Sequence, residues 1–483
     1  LSFRHAVKND PHSGSPLGAA LRYPQIYAGT YPDGRIAAGQ SGSNTEGAFL
    51  QGGEKKNTVN YLTGKIALTY KPFSFLTIQG TVTPTMSFQK VKDMKKAVPY
   101  YDAFDTDQLL GYISGYETNT LSETRTENYS IEKSLTATFY KDFGPHSVNV
   151  LAGYEDYYYN YETLAVSSDK MTLPDYPYLD NANKNEVSPA GSAFENAYRS
   201  FFGRVMYNFD SRYFIQANIR GDGSSRFGKD YRWGWFPSAS LGWRLSNEKF
   251  MESLSPVLSN FMLRASYGSL GNERIGNYPY QASINLENAI MFGSKGPEAA
   301  TSAAQIRYAV ENITWESTHT WDIGIDFGLF NGRLDFTGDI YYKKTKDMLI
   351  ATEIPKFTGY GAPEVNAGDM NTRGWEAKIS WNDNIGKDWT YGVGFNISNS
   401  KSKMGNLNGK VQYSGDCIIR GGDEYLAFYG YRSDGIYQTA EEVANSPKLV
   451  TSVGPGDIRY KDLSGADGIP DNKIDETNDR EVL

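Results

Sequence analysis

The stretch WDIGIDFGLF (321–330), followed by Asn331-Gly332 and RLDFTGDIYY (333–342), decides the fold. Side chains along a strand point alternately to its two faces. In the first arm Trp321, Ile323, Ile325 and Phe327 therefore share one face, and Asp322, Gly324 and Asp326 share the other. In the second arm Leu334, Phe336, Ile340 and Tyr342 oppose Arg333, Asp335, Thr337 and Asp339. Asn-Gly is the pair that a two-residue hairpin turn prefers, because both positions need positive φ. The segment reads as a β-hairpin with one apolar and one charged face.

The pattern recurs along the chain. Ile66, Leu68 and Tyr70 run to a turn expected at Lys71-Pro72 and return through Leu76 and Ile78. Leu135, Ala137 and Phe139 lead through KDFGPHS to Val148, Val150, Ala152 and Tyr154. Phe201, Gly203, Val205 and Tyr207 lead to Asp210-Ser211 and then Tyr213, Ile215, Ala217 and Ile219. Ala377, Ile379 and Trp381 lead through NDNIGKD to Tyr391, Val393, Phe395 and Ile397. Between the hairpins lie long polar stretches, 87–128, 167–197, 273–312 and 398–460, of a length unusual for compact soluble domains.

Short turns at one end and long loops at the other are the layout of an outer-membrane barrel, with short periplasmic turns and long extracellular loops. The expected fold is all-β, a transmembrane antiparallel β-barrel. Arg204, Asn218, Arg220, Arg244, Arg264, Asp322, Asp326, Asp335 and Asp339 all fall opposite apolar rows. A water-filled lumen accepts such residues, whereas the dry interior of a β-sandwich penalises each unpaired charge. A one-sided sheet facing bulk water gives the same alternation, so a soluble glycan-binding β-sandwich remains as the alternative.

Composition agrees with a barrel and excludes other classes. The 483 residues carry a net charge of -8, which argues against general nucleic-acid binding. Tyr at 36 far outnumbers Trp at 8, a balance suited to surfaces between an apolar and a wet neighbour. Tyr157, Tyr159 and Tyr161 on one strand face, and Trp375 and Trp381 near the ends of another, fit a headgroup-level belt or ordinary cross-strand pairing. Cys417 is the only cysteine, so neither an intramolecular disulfide framework nor a four-cysteine zinc site is available. No run of about 18 apolar residues occurs, which excludes a membrane helix and says nothing of a barrel. The start LSFRHAVKND lacks a signal peptide's charged start and apolar core.

YNFDSRYFIQANIRGDGSSRFGKDYRWGWFPSASLGWRLSNEKFM at 207–251 resembles the SusC/RagA family of TonB-linked outer-membrane transporters. LRASYGSLGNERIGNYPY (263–280), ENITWESTHTWDIGIDFGLFNGRLDFTGDIYYKKTKDML (311–349) and PGDIRYKDLSGADGIPDNKID (455–475) agree with it in order. The resemblance covers most of the chain and implies a barrel of about 22 strands in the complete chain. It also implies an internal plug, energy delivered through the TonB complex, and a SusD-like surface lipoprotein as a lid. The implied activity is active import of oligosaccharides or oligopeptides across the outer membrane of a Gram-negative, Bacteroidota-like cell. A dimer of transporter and lipoprotein pairs is a further assembly it allows. Residues 1–483 read as one partial barrel domain of roughly 14 to 16 strands, without the signal peptide, TonB-contacting segment, plug and C-terminal strands of family members. A passive porin or a surface-adhesion barrel without TonB coupling is the rival within the membrane class.

Catalysis finds no support. His5, His12, His146 and His319 form no HExxH, no G-x-S-x-G elbow is present, and His146 reads as a solvated turn residue. RGDGSSRFGKD (220–230) lacks the G-K-[ST] ending of a phosphate loop; Gly221 and Gly223 are expected to bend or bulge a strand while Arg226 finds a carboxylate. DLSGADGIPDNKID (462–475) has the look of a calcium loop, with Asp462, Ser464, Asp467 and Asp471 as ligands and Gly468 at the sharp turn. Its spacing is broken by Ala466, and metal-free Asx turns are the competing reading. No cofactor other than calcium is expected. For substrate contact the candidates are loop aromatics: Tyr100, Tyr101, Tyr176, Tyr178, Tyr278, Tyr280, Tyr425, Phe428 and Tyr429.

Overall fold

The computed structural model describes residues 1–12, 16–105, 108–293, 298–305, 307–352, 354–407, 410–465 and 468–483. Among them fourteen strands make the main antiparallel ladder. They are β1 (Ser2–Pro11), β2 (Gly53–Thr63), β3 (Ile66–Phe73), β4 (Leu76–Lys95), β5 (Thr120–Phe143), β6 (His146–Ser168) and β7 (Val187–Phe209). The remainder are β8 (Tyr213–Ser224), β9 (Trp233–Arg244), β10 (Leu258–Asn272), β11 (Glu316–Leu329), β12 (Leu334–Lys346), β13 (Met370–Ile385) and β14 (Trp389–Met404). The chain divides into two compact units, Leu1–Ala137 with Gly153–Ser200, and Thr138–Ala152 with Phe201–Leu483, and β5, β6 and β7 contribute residues to both.

In the first unit the order is β1-β2-β4-β5-β6-β7, with β3 also on β4. β2 and β3 are consecutive stretches along one edge of β4: Thr63 faces Thr85 and Ile66 faces Val82. The interruption at Gly64-Lys65 lies opposite Pro84, which has no N–H to give the ladder, and Gly64 N–H donates to the Pro84 carbonyl at 2.9 Å. The turn expected at Lys71-Pro72 comes later. Phe73 pairs with Leu76, so Ser74-Phe75 make the turn, and Pro72 sits in the register shift between Tyr70 and Phe73. Tyr157 stacks on Tyr198 at 4.8 Å and Tyr161 on Phe194 at 4.8 Å, the cross-strand pairing of β6 with β7.

In the second unit the order is β5-β6-β7-β8-β9-β10-β11-β12-β13-β14. Asp210 and Ser211 take positive φ (51° and 53°) at the β7–β8 turn, as the sequence predicts. At the hairpin of 321–342, Asn331 and Gly332 also take positive φ (61° and 79°), but so does Phe330 (57°). The ladder therefore closes at Leu329 with Leu334, one pair short of the two-residue hairpin expected. His146 is not a solvated turn residue: it opens β6, its Nδ1 lies 2.7 Å from the Tyr207 hydroxyl, and its ring is 4.9 Å from Phe209.

Strand length accounts for the misjudged polar stretches. β4, β5, β6 and β7 hold 20, 24, 23 and 23 residues, whereas roughly 9–11 tilted residues cross a bilayer core. Strands so long continue past the apolar zone, where alternation has no reason to persist. Hence 87–95 and 120–128 are strand, and the connection between them is 96–119. Likewise 187–197 belong to β7, and 398–404 to β14.

The β9–β10 connection is fixed by one carboxylate. Glu248 accepts from the Tyr213 hydroxyl at 2.6 Å, from Trp243 Nε1 at 3.0 Å and from Arg212 Nη1 at 3.3 Å. Those bonds, led by Tyr213, hold its carboxyl below the usual range. A depressed carboxyl contributes stability that is complete above its unfolded value, about 4.3, and is lost as pH falls through the lower folded value. Urea midpoints of the folded protein should therefore fall on acidification below about pH 4, and Glu248→Gln should be less stable at pH 7 with a flatter acid limb; equal acid limbs would refute this anchoring.

Candidate functional site

β9 shows the two-faced wall most clearly. Trp233, Trp235, Leu241 and Trp243 are exposed, while Phe236, Ser238, Ser240 and Arg244 between them are half-buried. The hairpin of β11 and β12 repeats it, with Ile323 and Ile340 each 61 % exposed on one side and the Asp339 side chain 10 % exposed on the other. Val393 and Phe395 on β14 extend the apolar face. Monomers in water rarely expose contiguous apolar surface beyond a few hundred Å². The soluble sandwich fails on this point, because its apolar face would be the covered one.

The charged face is organised around Arg264 on β10. In register, Arg264 lies beside Gly324 of β11, and Gly324 beside Asp339 of β12. Arg264 Nε is 2.6 Å and Nη2 3.1 Å from the Asp326 carboxylate, and Nη2 is 2.9 Å from Asp339 Oδ1. Gly324 makes this crossing feasible: a Cβ there would lie 2.7 Å from Arg264 Cζ and closer still to the Asp339 carboxylate. Beside it is a recess of about 530 Å³ whose wall includes Asn149, Tyr207, Gln216, Ser240, Arg264 and Asp322.

The other charged residues named from sequence are dispersed. Arg220 Nε donates to Asp222 at 2.8 Å, and its guanidinium lies 5.3 Å from the Phe202 ring centroid. Arg244 lies 5.2 Å from the ring centroid of Phe214. Arg204 is half-buried on β7, and Asp335 is exposed beside the hairpin turn. Gly221 and Gly223 do not bulge the strand, since β8 pairs with β9 in unbroken register. They make room for tryptophan: a Cβ at Gly221 would lie 2.7–2.9 Å from Trp235 ring atoms, and at Gly223 2.8–3.0 Å from Trp233. Arg226 finds its carboxylate in Glu273, at 3.8 Å. Burial pushes the Glu273 carboxyl above its ordinary value, against the opposing pull of Ser224 and Arg226.

Loop aromatics separate into packed and exposed sets. Tyr100 packs on the core of Ile36, Val98 and Ile113, Tyr280 donates to the Ser225 carbonyl at 3.4 Å, and Tyr429 is buried with Ile418 and Ala427. Tyr101 and Tyr278 are half-buried. Tyr176, Tyr178, Tyr425 and Phe428 are exposed, with Lys92 Nζ 4.3 Å from the Tyr178 ring centroid.

The loops carry cores of their own, which strand alternation does not reveal. In the first unit, Ile36, Val98 and Ile113 cluster beside buried Asn44; in the second, Phe227, Ile275, Val310 and Ile313 pack with Trp315. In the loop read as calcium-binding, Asp462 accepts from Asn472 N–H at 2.6 Å and Asp471 from Lys473 N–H at 3.0 Å. Ser464 N–H donates to buried Asp479 at 3.2 Å, and Asp467 lies outside the described residues. Among the described residues, no group of three or more His, Cys, Asp or Glu is placed to hold a metal.

A sheet with its apolar face outward and its charges gathered opposite is the wall of a membrane β-barrel. The chain belongs to the TonB dependent receptor-like, beta-barrel family, whose model matches residues 8–471, and it is an outer-membrane protein. It is 32 % identical over 341 residues to TonB-dependent receptor P39 of Formosa agariphila, covering 70 % of this chain and 31 % of that protein. It is 30 % identical over 318 residues to TonB-dependent receptor SusC of Bacteroides thetaiotaomicron, covering 64 % and 31 %. Its fold matches the RagAB peptide importer in the closed-closed state with a TM-score of 0.70 at 23 % identity, over 86 % of this chain and 44 % of that one. The chain thus spans about a third of the length of these two receptors, and the SusC/RagA resemblance is borne out.

Proposed function

We propose that the chain is the barrel wall of a TonB-dependent importer that takes up oligosaccharides or oligopeptides beneath a SusD-like lipoprotein. The observation that carries this reading is the wall itself: an apolar face for lipid backed by a charged face fit for a water-filled lumen. Arg204, Arg220, Arg244, Arg264, Asp322, Asp326, Asp335 and Asp339 then line the path, their charges hydrated or paired. Tyr176, Tyr178, Tyr425 and Phe428, exposed in the loops, supply amphipathic surface on which a sugar face or a peptide side chain can rest. The chain acts by binding and passage, with no chemical conversion of its cargo. The fold shared with the RagAB peptide importer is consistent with peptide cargo; oligosaccharide cargo and the lipoprotein lid are what the SusC/RagA resemblance implies, and TonB coupling is what the family implies.

The test is uptake of labelled oligosaccharide and oligopeptide pools by cells that carry or lack the complete receptor, with and without the proton-motive force. Receptor-dependent uptake that stops when the force is dissipated is the expected result. Uptake that persists would assign the barrel to passive diffusion, and receptor-independent uptake of both pools would leave adhesion as the better reading.

A further inference from the structure

The outward face of β11 to β14 changes character over three consecutive rungs at the end bearing the long loops. The first joins Ile323, Ile340, Trp375 and Asn399; the next Trp321, Tyr342, Arg373 and Lys401; the third His319, Lys344, Asn371 and Lys403. Same-face rungs are spaced about 7 Å apart, so an apolar band gives way to aromatics and then to cations within a headgroup's thickness. The aromatic pair is in contact, with Trp321 and Tyr342 centroids 5.7 Å apart, and Arg373 lies 5.7 Å from the Tyr342 centroid.

Of these cations, Arg373, Lys401 and Lys403 wall a recess of about 870 Å³ together with Tyr342 and Trp375. Lys401 has Glu424 at 3.4 Å, whereas among the described residues no carboxylate lies within 4.0 Å of Lys344, Arg373 or Lys403. A concentration of cations on a chain of net charge -8, at the level where Tyr and Trp mark the membrane surface, calls for an anionic headgroup. The long loops put this surface on the outer leaflet.

We infer that this recess binds the phosphate-bearing headgroup of an outer-leaflet glycolipid, with Arg373, Lys401 and Lys403 on the phosphates and Trp375 against the acyl-chain boundary. Arg373 can grip a phosphate in bidentate fashion, while the lysines add point charges. The inference rests on the wall's orientation and is independent of what the barrel transports.

The experiment is native mass spectrometry of the complete receptor in detergent, titrated with diphosphorylated lipid A and with its enzymatically dephosphorylated form. One tightly held lipid per chain is expected, with the phosphorylated form preferred. Combining Arg373→Gln, Lys401→Gln and Lys403→Gln should weaken retention roughly a hundredfold, at about fivefold per surface charge. Equal binding of the two lipids by the unaltered receptor overturns the inference even if the triple variant does not fold. So does competition by inorganic phosphate at the same concentration as the lipid, which would make this a free-anion site. A folded triple variant that keeps the lipid but loses a copurifying lipoprotein would assign the row to a protein interface and also overturn it.

Discussion

Arg264→Ala is expected to lower the stability of the folded barrel by about 3 kcal/mol, the low end for removing one partner of a buried ion pair. The low end applies because the Arg264 side chain is 32 % exposed and those of Asp326 and Asp339 are 24 % and 10 % exposed. The substitution removes three close N···O contacts at once and leaves Asp326 and Asp339 on neighbouring strands without the counter-charge they share. Arg264→Lys should recover only part of the loss, since an ammonium cannot reproduce the guanidinium's fork across two carboxylates. Gly324→Ala is the sharper probe. Its methyl would occupy the gap through which the guanidinium reaches Asp339, so its cost should shrink when Asp339→Asn has already weakened that pair. Urea midpoints in lipid vesicles at constant slope would measure the four single variants and the Gly324→Ala/Asp339→Asn double variant. An Arg264→Ala midpoint equal to the unaltered one would mean that the cluster is hydrated and contributes nothing.

That cluster marks where the sequence stops being informative. Alternation placed Arg264, Asp326 and Asp339 on one face, because a period of two needs no knowledge of neighbours. Which of them meet depends on register between strands 62 and 75 residues apart in the chain, and on a glycine whose value is the absence of a side chain. The tryptophans over Gly221 and Gly223 were hidden for the same reason: RGDG reads as a bend until Trp233 and Trp235 are known to lie across from it. Turns were legible where chemistry was local, as at Asp210-Ser211. They were misread where a strand ran on, as at Lys71-Pro72, because proline marks a missing donor as readily as a corner. Loop cores escaped notice since Ile36, Val98 and Ile113 are single apolar residues in polar stretches, brought together only by folding. One signal was available: Asn44 before TEGAFLQ has the form of a helix start.

Asn44 carries the second large effect. It is 2 % exposed, and its side chain makes three hydrogen bonds. Its Nδ2 donates to the Gly29 carbonyl at 2.6 Å and the Ala37 carbonyl at 2.8 Å, while its Oδ1 accepts from Gly47 N–H at 2.9 Å and caps α1 (Thr45–Gln51). Asn44→Ala should destabilise this loop unit by about 3 kcal/mol, since the Ala37 carbonyl and the Gly47 N–H are left unpaired at on the order of 1–3 kcal/mol each, while the Gly29 carbonyl keeps the Ala37 N–H at 3.1 Å. Asn44→Asp separates the two roles. At an ordinary helix start Asp caps as well as Asn, but here its second oxygen would face two carbonyl oxygens with no proton to offer. If the residue serves only as a cap, Asp should be tolerated; if it ties the loop's two strands of backbone together, Asp should be as damaging as Ala. Amide exchange over residues 28–52, with β8–β10 as the internal reference, would read the difference. Accelerated exchange in both variants, confined to the loop, is the expected result, and protection retained in Asn44→Asp would refute the tie. Because the Asn44 bonds run only among residues 29–47, outside the strand pairing, local opening there is expected to leave the barrel intact. A receptor carrying either variant should therefore still assemble in the membrane while its outer surface at this loop loses definition.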